Sequence, residues 1–270
     1  MSEARRAFAA VNTSVPNIAR INDYLLGGKD NFAADREAAE KLLAIAPEVR
    51  DIAREGQEFR RRVVRHLVGE GVTQFVTMGP GLPNRSNVHE IAQSLAPESR
   101  VVYVESDTIV LSHARALLAT DPRTKVVEGG VMRPAELLAD PAVRGLIDLD
   151  RPFAVMLLGV LQYIPDEDGP DKAVAHLRDA LPEGGHLVIS HVAFDARPEL
   201  AQPIADLYRA ILNRGGDATR TRPQIQQFFD GLEMVEPGLV YVRDWRPDVP
   251  PHERAEKTWM VGGVACKPAS

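Results

Sequence analysis

The 270-residue sequence predicts an α/β protein built on one mostly parallel β-sheet, and three observations lead to this fold class. From Thr73 onwards, short apolar runs alternate with segments of helical spacing. These runs carry Val, Leu and Ile on both faces, which is typical of strands buried in a parallel sheet. No apolar run approaches the roughly 18–20 residues that a membrane-spanning helix needs. Strands that alternate with helices imply right-handed βαβ units, so the predicted sheet is Rossmann-like.

Seven apolar runs are strand candidates. Five of them are predicted to be parallel strands: QFVTMG (74–79), RVVYVES (100–106), TKVVEGG (124–130), PFAVMLLGV (152–160) and GHLVISHVA (185–193). Two later runs, LVYVRDW (239–245) and TWMVGGVACK (258–267), have no clear helix between them. An antiparallel pair at one sheet edge is therefore the economical interpretation. The segment 198–231 has helical spacing, and Pro223 lies near the start of a short helix.

The segment before the first strand is predicted to be helical. Apolar residues recur there at helical intervals, as in the stripe Ile52, Phe59, Val63, Val64 and Leu67. We therefore expect two parts: an N-terminal helical cap or lid over residues 1–71, and a Rossmann-like domain over 72–270. The second part is expected to carry a helical insertion at about 196–235.

Composition and charge restrict the class of function. The net charge is −6 and both signs are mixed along the chain, which favours a small-molecule or protein substrate over a nucleic acid. The cluster Arg60, Arg61, Arg62 and Arg65 is interpreted as a solvated helix face. The single cysteine, Cys266, excludes a disulfide framework, and no residue cluster has convincing metal spacing. Without a secretory signal or a membrane span, a cytoplasmic location is the expectation.

The first strand ends in a glycine turn that is a candidate ligand site. Gly79 and Gly81 flank Pro80, and glycine lets a backbone approach a ligand closely because no side chain intervenes. Ligands of open parallel sheets bind outside the carboxyl ends of the strands. A G-x-G alone also fits a plain tight turn. Its position after a buried strand and before a helix near Asn87 favours the ligand site.

The second strand ends in Glu105-Ser106-Asp107, which adds an acidic side chain at the same edge. A carboxylate there can accept hydrogen bonds from both hydroxyls of a ribose, and Glu105 is the candidate. Ser106 or Asp107 as the N-cap of the next helix is the structural alternative, and the two roles are compatible. Because no G-x-x-x-x-G-K-[ST] loop is present, the pair indicates a nucleoside rather than a nucleoside triphosphate.

With these residues in place, the chain resembles an actinobacterial family of S-adenosylmethionine-dependent methyltransferases, formerly a domain of unknown function. The most specific stretches are ARINDYLLGGKDNFAADREAAEKL (19–42), GPGLPNRSNVHEIAQ (79–93), RVVYVESDTIVLSHARALL (100–118) and FFDGLEMVEPGLV (228–240). The resemblance implies a seven-stranded class I methyltransferase sheet with an antiparallel edge strand and a helical cap. It also implies bound S-adenosylmethionine or S-adenosylhomocysteine, and a small-molecule acceptor in secondary metabolism.

The resemblance and the strand ends together give a set of candidate site residues. His191 and Tyr24 are the catalytic candidates; His191 would be a base or would orient the acceptor, and a structural histidine is its alternative. Tyr163 and Gln162 are expected to wall the adenine or the acceptor, with core packing as the alternative. The predicted cofactor-binding residues are Gly79, Gly81, Glu105, Ser106, Gly27, Gly28, Lys29, Asn31, Gly159 and Gln162.

The chain departs from the family pattern at four ligand-facing positions. Thr77 stands where the family usually has Asp, Pro80 where it has Thr, Gly130 where an Asp receives the adenine amino group, and Gln162 where His is common. Two alternatives to methyl transfer therefore stay open. One is a methyltransferase fold that catalyses another step, such as a cyclisation, without a working cofactor site. The other is a non-catalytic ligand-binding protein. A homodimer is also compatible with the sequence.

Overall fold

The computed structural model describes residues 13–83, 87–118, 121–213, 218–248 and 259–269. The helices are α1 (Ile18–Leu25), α2 (Ala33–Ile45), α3 (Val49–Gly69), α4 (Val88–Leu95), α5 (Thr108–Leu117), α6 (Pro134–Ala139), α7 (Pro141–Arg144), α8 (Pro170–Asp179), α9 (Pro198–Leu212) and α10 (Arg222–Gln226). The strands are β1 (Gln74–Met78), β2 (Arg100–Glu105), β3 (Thr124–Glu128), β4 (Ala154–Leu158), β5 (His186–Val192), β6 (Glu233–Met234), β7 (Val240–Tyr241) and β8 (Met260–Cys266). Short 3₁₀ turns cover Leu161–Tyr163, Asp166–Asp168, Gln227–Phe229 and Val242–Asp244.

The strands form one sheet in the order β3-β2-β1-β4-β5-β8-β6, and β7 also pairs with β8. Strands β1 to β5 are parallel to their neighbours, whereas β8 runs antiparallel to β5. The prediction of a mostly parallel sheet with antiparallel strands at one edge is confirmed. The described residues hold eight strands rather than seven, because the edge beside β8 is shared by β6 and β7.

The predicted strand 239–245 is shorter than expected. Only Val240–Tyr241 pairs with β8, and Val242–Asp244 turns into a 3₁₀ helix. The guanidinium of Arg62 explains this, because it donates to the carbonyls of Val242 at 2.6 Å and Trp245 at 2.9 Å. These two carbonyls therefore accept hydrogen bonds from Arg62 instead of from a neighbouring strand. Thr258, the first residue of the predicted last strand, lies outside the described residues.

The sheet separates two hydrophobic cores. Successive side chains of a strand point to opposite faces, so Phe75 of β1 lies in one core while Val76 and Met78 lie in the other. Phe59, a side chain of α3, lies in the same core as Phe75. It packs so closely on β8 that a Cβ added to Gly262 would lie 2.6 Å from its ring. The N-terminal helices and the sheet thus share one core.

The predicted boundary at residue 71 stays a prediction, and residues 1–12 of the predicted cap lie outside the described residues. The predicted helix near Pro223 is confirmed as α10, which has a proline in its first turn. The helical segment 198–231 contains α9, α10 and a 3₁₀ turn. Among the described residues no helix has both the length and the apolar character that crossing a membrane requires.

The arginine cluster of α3 is only partly the solvated face that the sequence predicts. Arg61 and Arg65 are half-exposed and pair with Asp248. Arg62, by contrast, is 9% exposed and is used by the two carbonyls described above. Arg60 points towards the carboxyl edge of the sheet, where it lines a cavity. A helix that packs on a sheet buries more of its circumference than the apolar stripe alone indicates.

Candidate functional site

A cavity of about 750 Å³ lies at the carboxyl ends of the parallel strands. Its walls are the glycine turn after β1, the ends of β2 and β3, the segment after β4, and one side of α1 and α3. This volume falls within the roughly 300–1,000 Å³ that small-molecule sites occupy. The sheet reverses its strand order between β1 and β4, which is where open α/β sheets bind ligands. The predicted ligand edge of the sheet therefore contains a cavity.

The glycine turn after β1 lines this cavity with backbone atoms, because Gly79 and Gly81 have no side chains. Gly79 has a φ of +61° and Gly81 a φ of +71°, which are left-handed values that favour glycine. The Gly79 amide donates to the carbonyl of Val104 at 2.9 Å, so the turn is tied to β2. A Cβ added at Gly79 would lie 2.9 Å from Cγ2 of Val160. Both glycines line the cavity, as predicted from the sequence.

Glu105 lies on the cavity wall at the end of β2, where the sequence placed it. Its side chain is 7% exposed. Oε1 accepts hydrogen bonds from the amides of Ser106 at 2.8 Å and Asp107 at 3.0 Å, which fixes the carboxylate. Burial raises the pKa of the Glu105 carboxyl above its ordinary value, although the two amides oppose this shift. Because both bonds fall on Oε1, the geometry leaves Oε2 to ligand hydroxyls.

Asp107 joins the end of β2 to the first helix of the chain. Its Oδ1 accepts from the amide of Val110 at 3.0 Å and thereby caps α5, the capping role considered for this residue from the sequence. Its Oδ2 accepts from Nδ2 of Asn17 at 2.7 Å. Asn17 in turn caps α1, because its Oδ1 accepts from the amides of Ala19 and Arg20. One side chain therefore both starts α1 and ties it to the cavity wall.

The segment after β3 closes the end of the cavity beside Glu105. Gly130, Val131 and Met132 line it there, and Val15 from the N-terminal segment also lines the cavity. Val15 is 50% exposed and Met132 is 37% exposed, so both contribute accessible apolar surface to the cavity. A Cβ added at Gly130 would meet only the Cβ of Ser106, at 3.8 Å, which is an ordinary contact. A flat base next to a ribose on Glu105 fits this apolar end.

Gln162 and Tyr163 form the opposite end of the cavity, after β4, together with Gly159. The Gln162 carbonyl oxygen accepts from the amide of Val192 at 3.3 Å, and Nε2 donates to the phenol of Tyr163 at 3.1 Å. Burial raises the pKa of the Tyr163 phenol. The expectation that these residues wall the ligand agrees with their positions on the cavity surface.

His191 does not reach the cavity wall, contrary to its prediction as a base. It is fully buried, its Nδ1 donates to the carbonyl of Val192 at 2.7 Å, and its Nε2 accepts from Arg220 at 3.0 Å. Burial, together with the charge of Arg220, lowers the pKa of His191 from 6.5 to about 3. Both ring nitrogens are used, so His191 is a neutral structural histidine, which is the alternative interpretation of the sequence.

Arg220 organises the segment that carries Gln162 and Tyr163. Its guanidinium is 2% exposed and donates to the carbonyls of Leu161 and Ile164 and to the carboxylate of Asp166. His191 completes this set of acceptors. The histidine therefore helps to hold the arginine that shapes the wall after β4.

The glycine-rich motif in the N-terminal segment also lies off the cavity, contrary to the prediction of ligand contacts. Asp23 is its centre, since its Oδ2 accepts from the amide of Asp30 and from Nδ2 of Asn31. A Cβ added at Gly28 would lie 1.9 Å from Oδ1 of Asp23. These contacts make the motif a self-contained loop. None of the predicted motif residues lines the cavity: Tyr24, Gly27, Gly28, Lys29 and Asn31.

The orientation of α1 explains this difference. Ile18, Ala19 and Asn22 face the cavity. Tyr24 points elsewhere and donates to Oε1 of Glu40 on α2 at 2.5 Å, which raises the pKa of its phenol. Lys29 is exposed. Tyr24 therefore links two helices in this structure, and its catalytic role stays a prediction.

Several polar residues of the site were not selected from the sequence, and three of them come from the N-terminal helices. Asn17 and Asn22 come from α1 and its cap, and Arg60 comes from α3. Asn17 carries a recognisable signal, because an asparagine directly before a helical pattern is a preferred N-cap. Arg60 carries no such signal, since nothing in the sequence distinguishes it from Arg61, Arg62 and Arg65 in the same cluster. Within the described ranges, no group of three or more His, Cys, Asp or Glu residues could hold a metal ion.

The residues present fit S-adenosylmethionine. Glu105 offers a fixed carboxylate to ribose hydroxyls, the positive-φ glycine turn lets a chain pass close to β1, and the end after β3 offers apolar walls. The bound molecule supplies a methyl group on a sulfonium, which loses its positive charge when the methyl leaves. The chain itself would bind and align the two reactants, since methyl transfer is an in-line displacement that depends on proximity and orientation.

Fold and site together define the class I methyltransferase type of α/β protein. The chain belongs to the S-adenosyl methyltransferase family, whose model matches residues 4–268. A protein of the DUF574 family from Streptomyces avermitilis is 39% identical, with a TM-score of 0.89 over 95% of this chain and 99% of that chain. A candidate methyltransferase from Thermobifida fusca is 41% identical, also with a TM-score of 0.89, over 96% and 97% of the two chains.

A more distant structure supports the fold alone. The plantazolicin methyltransferase BamL, solved in complex with a desmethylplantazolicin analogue and S-adenosylhomocysteine, has a TM-score of 0.55 at 8% identity, over 93% of this chain and 96% of that chain. A comparison with curated proteins gave no match. The family and the cofactor class that the sequence resemblance implied are confirmed, and the chain is a methyltransferase-family enzyme.

Proposed function

We propose that the chain transfers the methyl group of S-adenosylmethionine to a small-molecule acceptor, in secondary metabolism. The observation that carries the proposal is the continuous cavity that joins Glu105 to Gln162 and Tyr163. The sheet order places β2, β1 and β4 side by side, so a ribose at Glu105 leads past the glycine turn towards the β4 end. The space after β4 is then the place for an acceptor.

The size and walls of the cavity support a small acceptor rather than a macromolecule. The cavity is bounded by helices α1 and α3 on one side and by the strand ends on the other. BamL, a fold neighbour, acts on a natural product, as its name states. The proposed acceptor class rests on the size and the walls of the cavity, and the proposed metabolic role rests on the family resemblance.

A second candidate function is favoured by the residues at Thr77 and Gly130. Neither supplies the carboxylate that the family pattern has at these positions, and Thr77 is buried in β1. Losing one charge-assisted hydrogen bond weakens a complex by roughly 1.5–3 kcal/mol. In this second candidate function, the chain keeps the nucleoside cavity and catalyses a different step, such as a cyclisation.

The test is a transfer assay with S-adenosylmethionine labelled with tritium in its methyl group. The protein is incubated with pools of small molecules, and label in acceptor products and formation of S-adenosylhomocysteine are both measured. Acceptor-dependent S-adenosylhomocysteine in equal amount to the labelled product supports methyl transfer. Conversion of a pool member without uptake of label supports the second candidate and contradicts the first. The Glu105→Gln variant is the control for transfer outside this cavity.

A further inference from the structure

A small pocket of about 30 Å³ adjoins the acceptor end of the large cavity. Gln162, Tyr163 and Leu212 line both spaces. The remaining walls come from the end of β5 and from α9, including Phe194, Ile204 and Tyr208. We call this space the tyrosine pocket. Its volume suits one water-sized group, because a cavity needs about 10–15 Å³ of such space to hold a single water.

The directions of the hydrogen bonds around Tyr163 can be assigned because two of the groups involved can only donate. The Val192 amide can only donate, so the side-chain atom of Gln162 that faces it is the carbonyl oxygen. The other end of the same amide is then Nε2, which can only donate to the Tyr163 hydroxyl. The Tyr163 oxygen is therefore an acceptor in this bond, and its own hydrogen is not used there.

Tyr208 is the second phenol of the tyrosine pocket. Its ring lies against Tyr163 with centroids 5.1 Å apart and planes at 87°. Burial raises the pKa of both phenols, so both keep their protons at neutral pH. Two hydroxyl hydrogens are thus present, and at most one of them can lie in a bond between the two phenols. Whichever way such a bond runs, one O–H hydrogen is not used by the other phenol and is the donor that we assign to a ligand.

The surroundings of this donor are mostly apolar, although Thr219 and Gln162 are polar wall residues. Phe194, Ile204 and Leu212 surround it in the tyrosine pocket, and Ile52, Ile211 and Met260 continue the apolar wall in the large cavity. The charged residue among the described walls of the tyrosine pocket is Arg209, whose guanidinium pairs with Asp206 on the same helix. An ionised group would lose part of its hydration in this mostly apolar pocket, and Arg209 is already paired with Asp206, so burying a charge here is costly.

We propose that the acceptor is an uncharged, mostly apolar small molecule with an oxygen that enters the tyrosine pocket and accepts a hydrogen bond from the Tyr163–Tyr208 pair. This inference rests on the proposed methyl transfer and names its substrate class. The two tyrosines act as specificity-determining residues: they select an oxygen-bearing group and place the rest of the molecule along the apolar wall. The atom that receives the methyl group lies on the part of the acceptor that stays in the large cavity.

Three naphthalenes that share one frame test the inference: 2-acetylnaphthalene, 2-ethylnaphthalene and 2-naphthoate. Each is titrated into protein saturated with S-adenosylhomocysteine, and naphthalene fluorescence reports binding. The acetyl group offers a hydrogen-bond acceptor, the ethyl group has a similar shape without the oxygen, and naphthoate carries a charge. We expect the acetyl compound to bind about three- to tenfold more tightly than the ethyl compound, as one neutral hydrogen bond allows. Naphthoate is expected to bind most weakly.

The double variant Tyr163→Phe/Tyr208→Phe removes both hydroxyls and keeps both rings. We expect it to weaken the preference for the acetyl compound while the ethyl compound binds as before, and Nε2 of Gln162, which loses its acceptor in this variant, is the donor that remains. The single variant Tyr208→Phe is expected to keep the preference, because the Tyr163 hydrogen is then available. Tyr241→Phe is the matched control, since this ring stacks under Arg222 and is not part of the tyrosine pocket.

The outcomes separate this inference from the function on which it rests. Equal affinity for the acetyl and ethyl compounds, an undiminished preference in the double variant, or tight binding of naphthoate overturns the inference. Absence of saturable binding by 2-acetylnaphthalene, with S-adenosylhomocysteine bound, also overturns it and leaves methyl transfer standing. Failure of S-adenosylhomocysteine itself to bind overturns both. Unchanged S-adenosylhomocysteine affinity in the double variant shows that the variant is folded.

Discussion

Asn17 donates a hydrogen bond from Nδ2 to Oδ2 of Asp107 across 2.7 Å, and this contact ties the first helix to the end of β2. The two residues lie 90 positions apart in the sequence and both line the cavity. The backbone amide of Asn17 also donates to Asp35, which is fully buried and paired with Arg20. The N-terminal helices are therefore attached to the ligand edge of the sheet through side-chain chemistry, not only through apolar packing.

Replacing Asn17 separates its two roles. Asn17→Ala removes the cap of α1 and the bond to Asp107, and we expect it to lower the free energy of unfolding by about 1 kcal/mol or more. Asn17→Ser keeps a capping oxygen but cannot reach Asp107, so a smaller loss is expected. Urea unfolding of the three proteins measures both effects. Equal stability of Asn17→Ala and the parent would show that the contact contributes nothing.

Replacing Glu105 by Gln tests the ribose site. Gln keeps an oxygen for the amides of Ser106 and Asp107 but loses the charge that strengthens bonds from ligand hydroxyls. We expect the affinity for S-adenosylhomocysteine to fall about ten- to a hundredfold, the value of one charge-assisted hydrogen bond. Glu128→Gln is the matched control, because Glu128 is the exposed register partner of Glu105 on β3. A parallel loss in the control would contradict the assignment.

The raised pKa of Glu105 also predicts a stability effect in the ligand-free protein. Since the pKa is higher in the folded than in the unfolded chain, protonated Glu105 favours the fold, and this contribution is lost as the pH rises through the folded pKa. Glu105→Gln has no ionisable group at this position, so the variant does not lose this stability as the pH rises. We therefore expect the variant to be at least as stable as the parent at neutral pH, measured by thermal unfolding without ligand. If Glu105→Gln were less stable than the parent at neutral pH, burial of the ionised Glu105 carboxylate would not be destabilising, and the prediction would be wrong.

His191 is predicted to support structure and not proton transfer. His191→Ala leaves Arg220 without one acceptor, and we expect the free energy of unfolding to fall by about 2–3 kcal/mol. His176→Ala, at an exposed position on α8, should change little. Chemical unfolding of the two variants makes this comparison. Full stability of His191→Ala, with methyl transfer lost, would restore the catalytic assignment.

The pKa of His191 gives an independent pH test. Because the folded pKa is about 3 against an ordinary 6.5, the unfolded chain takes up a proton first as the pH falls. His191 therefore stabilises the fold above pH 6.5, and this contribution decreases between pH 6.5 and about 3. We expect His191→Gln to reduce the dependence of stability on pH in this interval. An unchanged dependence would show that other groups produce it.

Gly130→Asp is expected to strengthen cofactor binding. The structure has room for the side chain, because the added Cβ would meet only Ser106, at 3.8 Å. A carboxylate there could accept from the adenine amino group, and we expect about tenfold higher affinity for S-adenosylhomocysteine. S-inosylhomocysteine lacks that amino group and should gain nothing. Calorimetry with both ligands decides, and an equal gain for the two would refute contact with the amino group.

Local signals predicted the sheet and its ligand edge. Buried strands such as β1 and β4 are continuous apolar runs, and Gly79, Gly81 and Glu105 follow strands directly, so chain order alone puts them at one edge. The division of the last strands was less predictable. It depends on Arg62, which reaches carbonyls that lie 180 and 183 residues away.

Side-chain direction on helices was the main source of error. The motif around Gly27 and Gly28 is distinctive because Asp23 needs space, and not because a ligand does. Which side of α1 faces the cavity is set by its packing on α2 and α3, which no local pattern records. The prediction for His191, which lies on strand β5, was wrong for a different reason: its ring is used by Arg220, a partner 29 residues away that no local pattern indicates.

The cavity between Glu105 and Tyr163 is expected to bind S-adenosylmethionine. Calorimetric titration of the purified protein with S-adenosylhomocysteine, the product form that does not react, tests this binding most directly. We expect one site per chain with micromolar affinity, weakened by Glu105→Gln. Absence of binding at millimolar ligand would contradict it.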